Sequence, residues 1–192
     1  LEETGWLDAY DQVTTQARDS WRREIEEKEA QGQEFIHAYF ETPYQNPQEN
    51  LIEKEQMAKA GTVLYALGRI SGEGADRSRG KGDFQLSDSE RENLRRLDAA
   101  GKRIILVLNT GGILDLRFVD EFSGIQAVIL LGQAGMEAGR ALAKALYGQV
   151  NPSGRLTDTW AASYDQYPSW DTFGRQNGDV TKEFYYEGIY VG

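Results

Sequence analysis

Three short, uninterrupted apolar runs constrain this chain more than any other feature: Thr62-Val63-Leu64-Tyr65-Ala66-Leu67, Ile104-Ile105-Leu106-Val107-Leu108 and Ala127-Val128-Ile129-Leu130-Leu131. Each is too short for a typical helix, holds β-branched or aromatic residues, and reads as a buried strand. Between and after them lie helical patterns. Ser87-Asp88-Ser89-Glu90 is a capping box, Ser followed by Glu three residues on. It opens a helix with Leu94 and Leu97 facing inward and Gly101 as its stop. Gly135 to Tyr147 carries Ala138, Ala141, Leu142, Ala145 and Leu146 on one face and closes at Gly148. Apolar strands alternating with amphipathic helices predict a three-layer α/β sandwich, a mainly parallel sheet flanked by helices. A further strand is predicted over Leu156 to Trp160, and irregular chain over 161–192.

Ahead of the strands, Trp6, Leu7, Tyr10, Val13, Ala17, Trp21 and Ile25 recur at three- and four-residue spacing, one face of a long helix. Pro43 and Pro47 break the chain, and Leu51 to Ala60 reads as a short helix. The expected organisation is an N-terminal helical segment over 1–60, packing on or leading into an α/β-sandwich domain over 61–192.

The 192 residues have room for one ordinary domain with a real core. A net charge of −10, concentrated in the first 60 residues, argues against nucleic acid as a partner. No apolar run approaches the roughly 20 residues of a membrane helix. With no cysteine, thiolate metal sites and disulfides are excluded, and a single histidine, His37, in an apolar stretch points to packing rather than a metal site or a triad. No metal or organic cofactor is indicated. Leu1 opens an acidic segment with no initiator Met and no positively charged leader, so a piece of a longer protein is expected, with its compartment left open.

Chemistry is expected where the first strand ends, because ligands of parallel sheets bind beyond the carboxyl ends of the strands. There the loop Gly68 to Asp83 holds Glu73 between Gly72 and Gly74, with Arg69, Arg77, Arg79 and Lys81 around it. Glycine lets another molecule approach, so a carboxylate so flanked suits a ligand pocket. The arginines would hold it ionised unless burial opposes them. A surface loop with incidental charges is the alternative. Phosphate or dinucleotide binding fits poorly: Arg77 stands where the third glycine of that fingerprint belongs, and Glu73 would repel a pyrophosphate.

The stretch Arg69-Ile70-Ser71-Gly72-Glu73-Gly74-Ala75-Asp76-Arg77 resembles the Ser-Gly-Glu-Gly segment of β-glucosidases in glycoside hydrolase family 3. Four further stretches resemble that family's second domain in the same order: Asn109 to Leu116, Gly132 to Leu142, Tyr147 to Leu156 and Tyr186 to Gly192. The resemblance covers about residues 60–192, and only loosely the part before. Thr157 departs from the proline common after the Asn-Pro-Ser-Gly-Arg-Leu run.

The resemblance implies an active site shared by two domains. A (β/α)₈ barrel, not contained in this chain, supplies the nucleophilic Asp and most sugar-binding groups. The α/β sandwich supplies the general acid/base, by position Glu73, with Ser71, Gly72, Asp76 and Arg77 as candidate substrate contacts. The implied substrate is a β-glycoside, most simply a β-glucoside. Asp76 and Arg77 have a second expected role, shaping the loop, and Asp83 is expected to anchor its far end; Asp115, Glu137 and Asp158 are expected to be structural, and Trp160, Tyr167 and Trp170 to pack rather than stack on sugar. Two other classes stay open here: a non-catalytic sugar-binding or interdomain-docking module, and a nucleotide-binding domain. The face a barrel would cover predicts self-association of the separate chain.

Overall fold

The computed structural model describes residues 6–42, 51–69 and 77–170, together with Gly188. They fall into two compact units, one holding 6–42 and the other everything from residue 51 onward. In the first, helix α1 (Trp6–Ala30) and the short helix α2 (Phe35–Phe40) form a hairpin. Thr14, Ala17, Trp21, Ile25 and Lys28 make the less exposed stripe of α1, the expected period. Trp21 donates its indole N–H to the Thr42 carbonyl at 2.5 Å, and Lys28 donates to the Thr42 hydroxyl at 2.7 Å. Ala38 and Ile25 are buried; His37 is exposed, in the last turn of α2.

The second unit is built on three parallel strands in the order β1 (Thr62–Arg69), β2 (Arg103–Thr110), β3 (Ile125–Leu130). β1 and β2 pair in unbroken register from Thr62↔Arg103 to Arg69↔Thr110. β2 and β3 pair from Ile104↔Ile125 to Leu108↔Leu130, with an irregularity after Ile104. All three apolar runs are therefore strands; β1 and β2 reach two residues past the carboxyl ends of their runs, because ladder bonding continues through Gly68, Arg69, Asn109 and Thr110, while β3 begins two residues before its run and ends at Leu130. Ahead of the sheet lies helix α3 (Lys54–Ala58); helix α4 (Asp88–Ala99) links β1 to β2, a 3₁₀ turn (Arg117–Glu121) links β2 to β3, and helix α5 (Ala138–Leu146) follows β3.

The core lies on the sheet face that carries Tyr65, Leu67, Ile104, Leu106 and Leu108, packed against Leu94 and Leu97 of α4 and against Leu86, Leu114, Phe118 and Phe122. Along β1, burial alternates: Tyr65, Leu67 and Arg69 are buried, while Leu64 is 53% exposed. On that other face Val107, in the central strand, is buried, but Ile105 and Ile129 are only partly so. Helix α5 has an apolar stripe, Ala138, Leu142, Ala145 and Leu146, that is half-buried. It starts three residues later than its pattern suggests, since Gly135 takes a left-handed φ of 72°.

The strand expected over Leu156–Trp160 is not formed. Leu156 is exposed, Thr157 turns its hydroxyl onto the Asp158 carboxylate at 2.9 Å within a bend, and only Trp160 reaches the core. That local side-chain bond competes with an extended ladder.

A candidate active-site loop and its anchors

Parallel pairing brings the carboxyl ends of β1 and β2 side by side at Arg69 and Thr110. Of the predicted site residues, Ser71, Gly72, Glu73 and Asp76 lie outside the described residues; Arg77 lies within them, as do both stems of the loop. The upstream stem is Arg69, buried at the last position of β1. Its Nη1 and Nη2 donate to the two Glu90 carboxylate oxygens at 2.7 and 2.8 Å, a bidentate pair. Its Nε donates to the Asp83 carbonyl at 2.7 Å, and Nη1 also to the Gly68 carbonyl at 2.7 Å. Glu90 has a second task. Its Oε2 accepts the Ser87 amide at 2.7 Å while the Ser87 hydroxyl accepts the Glu90 amide at 3.1 Å, the capping box read from sequence. One carboxylate thus closes the α4 N-terminus and neutralises a buried guanidinium.

The downstream stem is Arg77. Its Nε donates to Asp83 Oδ1 at 2.6 Å, and its Nη1 to the Ile113 carbonyl at 2.8 Å. The other Asp83 oxygen accepts the Ser78 amide at 2.5 Å. The Arg77 guanidinium lies against the turn after β2, so close that a Cβ added to Gly112 would sit 2.7 Å from Nη1. Thr110 shapes that turn: its hydroxyl donates to the Gly112 carbonyl at 2.7 Å and accepts the Gly112 amide at 3.2 Å. Arg77 Nη2 is buried and has no hydrogen-bond partner among the described residues. A buried donor left so is costly, so this group is available to a partner beyond the described residues.

The stretch after Arg77 is ordered rather than a loose loop. Phe84 N bonds Ser78 O at 3.3 Å, Gln85 N bonds Gly80 O at 3.1 Å and Asp115 N bonds Phe84 O at 2.8 Å. Gly82, at φ 84°, makes the reversal that a side chain would strain. The aromatics downstream fold onto it. Tyr164 packs edge-on to Phe84 at 5.2 Å and to Tyr167 at 6.0 Å, and the Arg79 guanidinium lies 4.5 Å over the Tyr164 ring. Tyr167 accepts the Ala161 amide at 2.9 Å through its hydroxyl, and Arg79 donates to the Trp170 carbonyl.

These pairings alter the electrostatic expectation. Arg69 is matched by Glu90, Arg77 by Asp83, and Lys81 by Asp88 at 2.6 Å. Of the four cations near Glu73 in sequence, Arg79 alone meets no carboxylate among the described residues. The positive field read from composition is therefore largely cancelled locally. Nothing in the sequence marked Glu90 as Arg69's partner beyond its place in the capping box, and nothing marked Gly112 as the surface on which Arg77 rests.

Comparison with known proteins identifies the fold. The chain belongs to the glycosyl hydrolase family 3 C-terminal domain family, whose model matches residues 6–192. It is 35% identical over 146 residues to a β-glucosidase of Ruminococcus albus, covering 76% of this chain and 15% of that protein. It is 34% identical over 157 residues to β-glucosidase A of Butyrivibrio fibrisolvens, covering 70% and 19%. Among solved structures, β-glucosidase 3B from Thermotoga neapolitana in complex with glycerol matches with a TM-score of 0.68 at 33% identity, over 78% of this chain and 22% of that one. The chain thus spans less than a quarter of the length of these relatives.

Proposed function

We propose that this chain is the second domain of a retaining β-glycosidase, with β-glucosides as its substrate class, and that Glu73 is the general acid/base. The carrying observation is the family match together with the placement of the loop's stems. Residues 70–76, which include Glu73, run between two anchors fixed at the carboxyl ends of adjacent parallel strands, where such sheets bind ligands. A (β/α)₈ barrel domain of the same enzyme would supply the nucleophilic carboxylate and most sugar contacts. Ser71, Gly72, Asp76 and Arg77 would contact the substrate from this side, and Arg77 Nη2, a buried donor with no partner among the described residues, supports that role.

The chemistry needs two carboxyl groups roughly 5–5.5 Å apart. The nucleophile attacks the anomeric carbon as the bond to the leaving oxygen breaks, and Glu73 gives its proton to that oxygen. Glu73, now a carboxylate, takes a proton from water, whose oxygen displaces the enzyme carboxylate and restores the acid. Glu73 must start protonated, so its pKa must lie above the ordinary carboxylate range. Desolvation on docking and the nearby ionised nucleophile both act in that direction, and the pairing of Arg69, Arg77 and Lys81 with their own carboxylates removes most of the opposition.

Glu73→Ala in the full-length enzyme tests the role. Glycosides with poor leaving groups should lose about 10²–10⁴-fold in turnover. An activated aryl β-glucoside should still react, and azide should restore its turnover with a glycosyl azide of retained configuration as product. Unchanged hydrolysis of the poor substrate would place the acid elsewhere and leave this chain a sugar-binding or docking module.

A further inference from the structure

We propose that Asp83 is a positioning residue for the acid/base loop, a staple that ties the two ends of residues 70–76 to each other and to the sheet. The proposal rests on the acid/base reading of Glu73. One residue takes both stems: the Asp83 carbonyl holds Arg69 Nε at 2.7 Å, and its carboxylate holds Arg77 Nε at 2.6 Å and the Ser78 amide at 2.5 Å. The guanidinium groups of both stems thereby meet on one residue. Each is then fastened to a different element, Arg69 through Glu90 to the start of α4 and Arg77 through the Ile113 carbonyl to the turn after β2.

Proton transfer to a leaving oxygen depends on position at the scale of an ångström, so the staple's effect falls on the step that uses the proton. Asp83 also sets the sign of charge at the stem. Without its carboxylate, Arg77 would present an uncompensated cation beside the loop and favour the ionised form of a neighbouring acid.

The test uses the full-length enzyme with Asp83→Ala and two substrates, an alkyl β-glucoside that needs a proton and a dinitrophenyl β-glucoside that does not. The alkyl substrate should lose about 10²-fold in kcat/KM, the size expected of a misplacement of about 1 Å. The dinitrophenyl substrate should change little, and the alkaline limb of the pH profile should move to lower pH. Gly112→Ala is the second variant. Its added methyl presses on Arg77 Nη1 without changing a charge, and it should show the same dependence on leaving group. It carries the test alone if Asp83→Ala does not fold. Equal losses on both substrates, or none, overturn the proposal. Glu73→Gln on the same substrate pair separates the two ideas. If it shows no leaving-group dependence, the acid/base reading fails. If it does and the Asp83 and Gly112 variants do not, the staple alone fails.

Discussion

Asp115 shows how much a single side chain near the loop depends on its neighbour. It precedes the 3₁₀ turn, accepts the Arg117 amide at 3.1 Å, and pairs with the Arg117 guanidinium at 2.5 Å. The hydrogen bond from Arg117 is the main cause holding its carboxyl below the ordinary value, against the opposing effect of partial burial. A carboxyl whose folded pKa is depressed stabilises the fold fully above its unfolded value of about 3.9. That contribution is lost as the pH falls through the lower folded value. Folding free energy followed from pH 5 downward should therefore fall less steeply in Asp115→Asn than in the wild type. Parallel acid limbs would mean the pair adds nothing. The sequence predicts a structural role for Asp115; its partner two residues on is what shifts its carboxyl.

Helix α4 is the element that joins the stems to the core, and each of its turns is tied to something different. Its first turn holds Arg69 through Glu90. Its middle buries Asn93, whose side-chain oxygen accepts the Ile52 amide at 2.8 Å, and its end brings Asp98 to the Gly124 amide at 2.6 Å, at the start of β3. Between these lie Leu94 and Leu97, fully buried against β2. The helix was legible in full from its capping box, its apolar spacing and its glycine stop, all of which are local. Two substitutions separate its cap from its packing. Ser87→Ala should cost about 1 kcal/mol in denaturant unfolding, and Leu94→Ala about 2–5 kcal/mol. Equal small losses would mean that α4 is held by its polar ties rather than by the core. The strand expected at Leu156 failed for the converse reason: the short stretch from Leu156 to Trp160 was outweighed by the Thr157–Asp158 bend, a contact that periodicity does not register.

For the whole molecule the uncommitted surface matters most. Leu64, Val128 and Leu130 on the strands are partly exposed, and Met136, Tyr147, Val150 and Leu156 are exposed around α5. In the described sheet β1 and β3 are edge strands, whose free backbone groups invite pairing. Apolar surface with unpaired edges predicts that the separate 192-residue chain associates with itself, its sedimentation coefficient rising with concentration. A concentration-independent monomer would show that this surface is covered by the chain itself.

What the sequence determined by itself was whatever depends on near neighbours: three strands, the start and stop of α4, the α/β class, and the family resemblance carried by five collinear motifs. What only the tertiary structure decided was pairing across distance. Arg69 finds Glu90 twenty-one residues on, and Arg77 reaches Ile113 thirty-six residues on, because parallel strands in register set their loops side by side. A run of four cations around a glutamate reads from sequence as a positive loop. Folded, it is mostly a set of neutralised anchors, because the energy of a charge is set by its partner's distance and burial rather than by order along the chain.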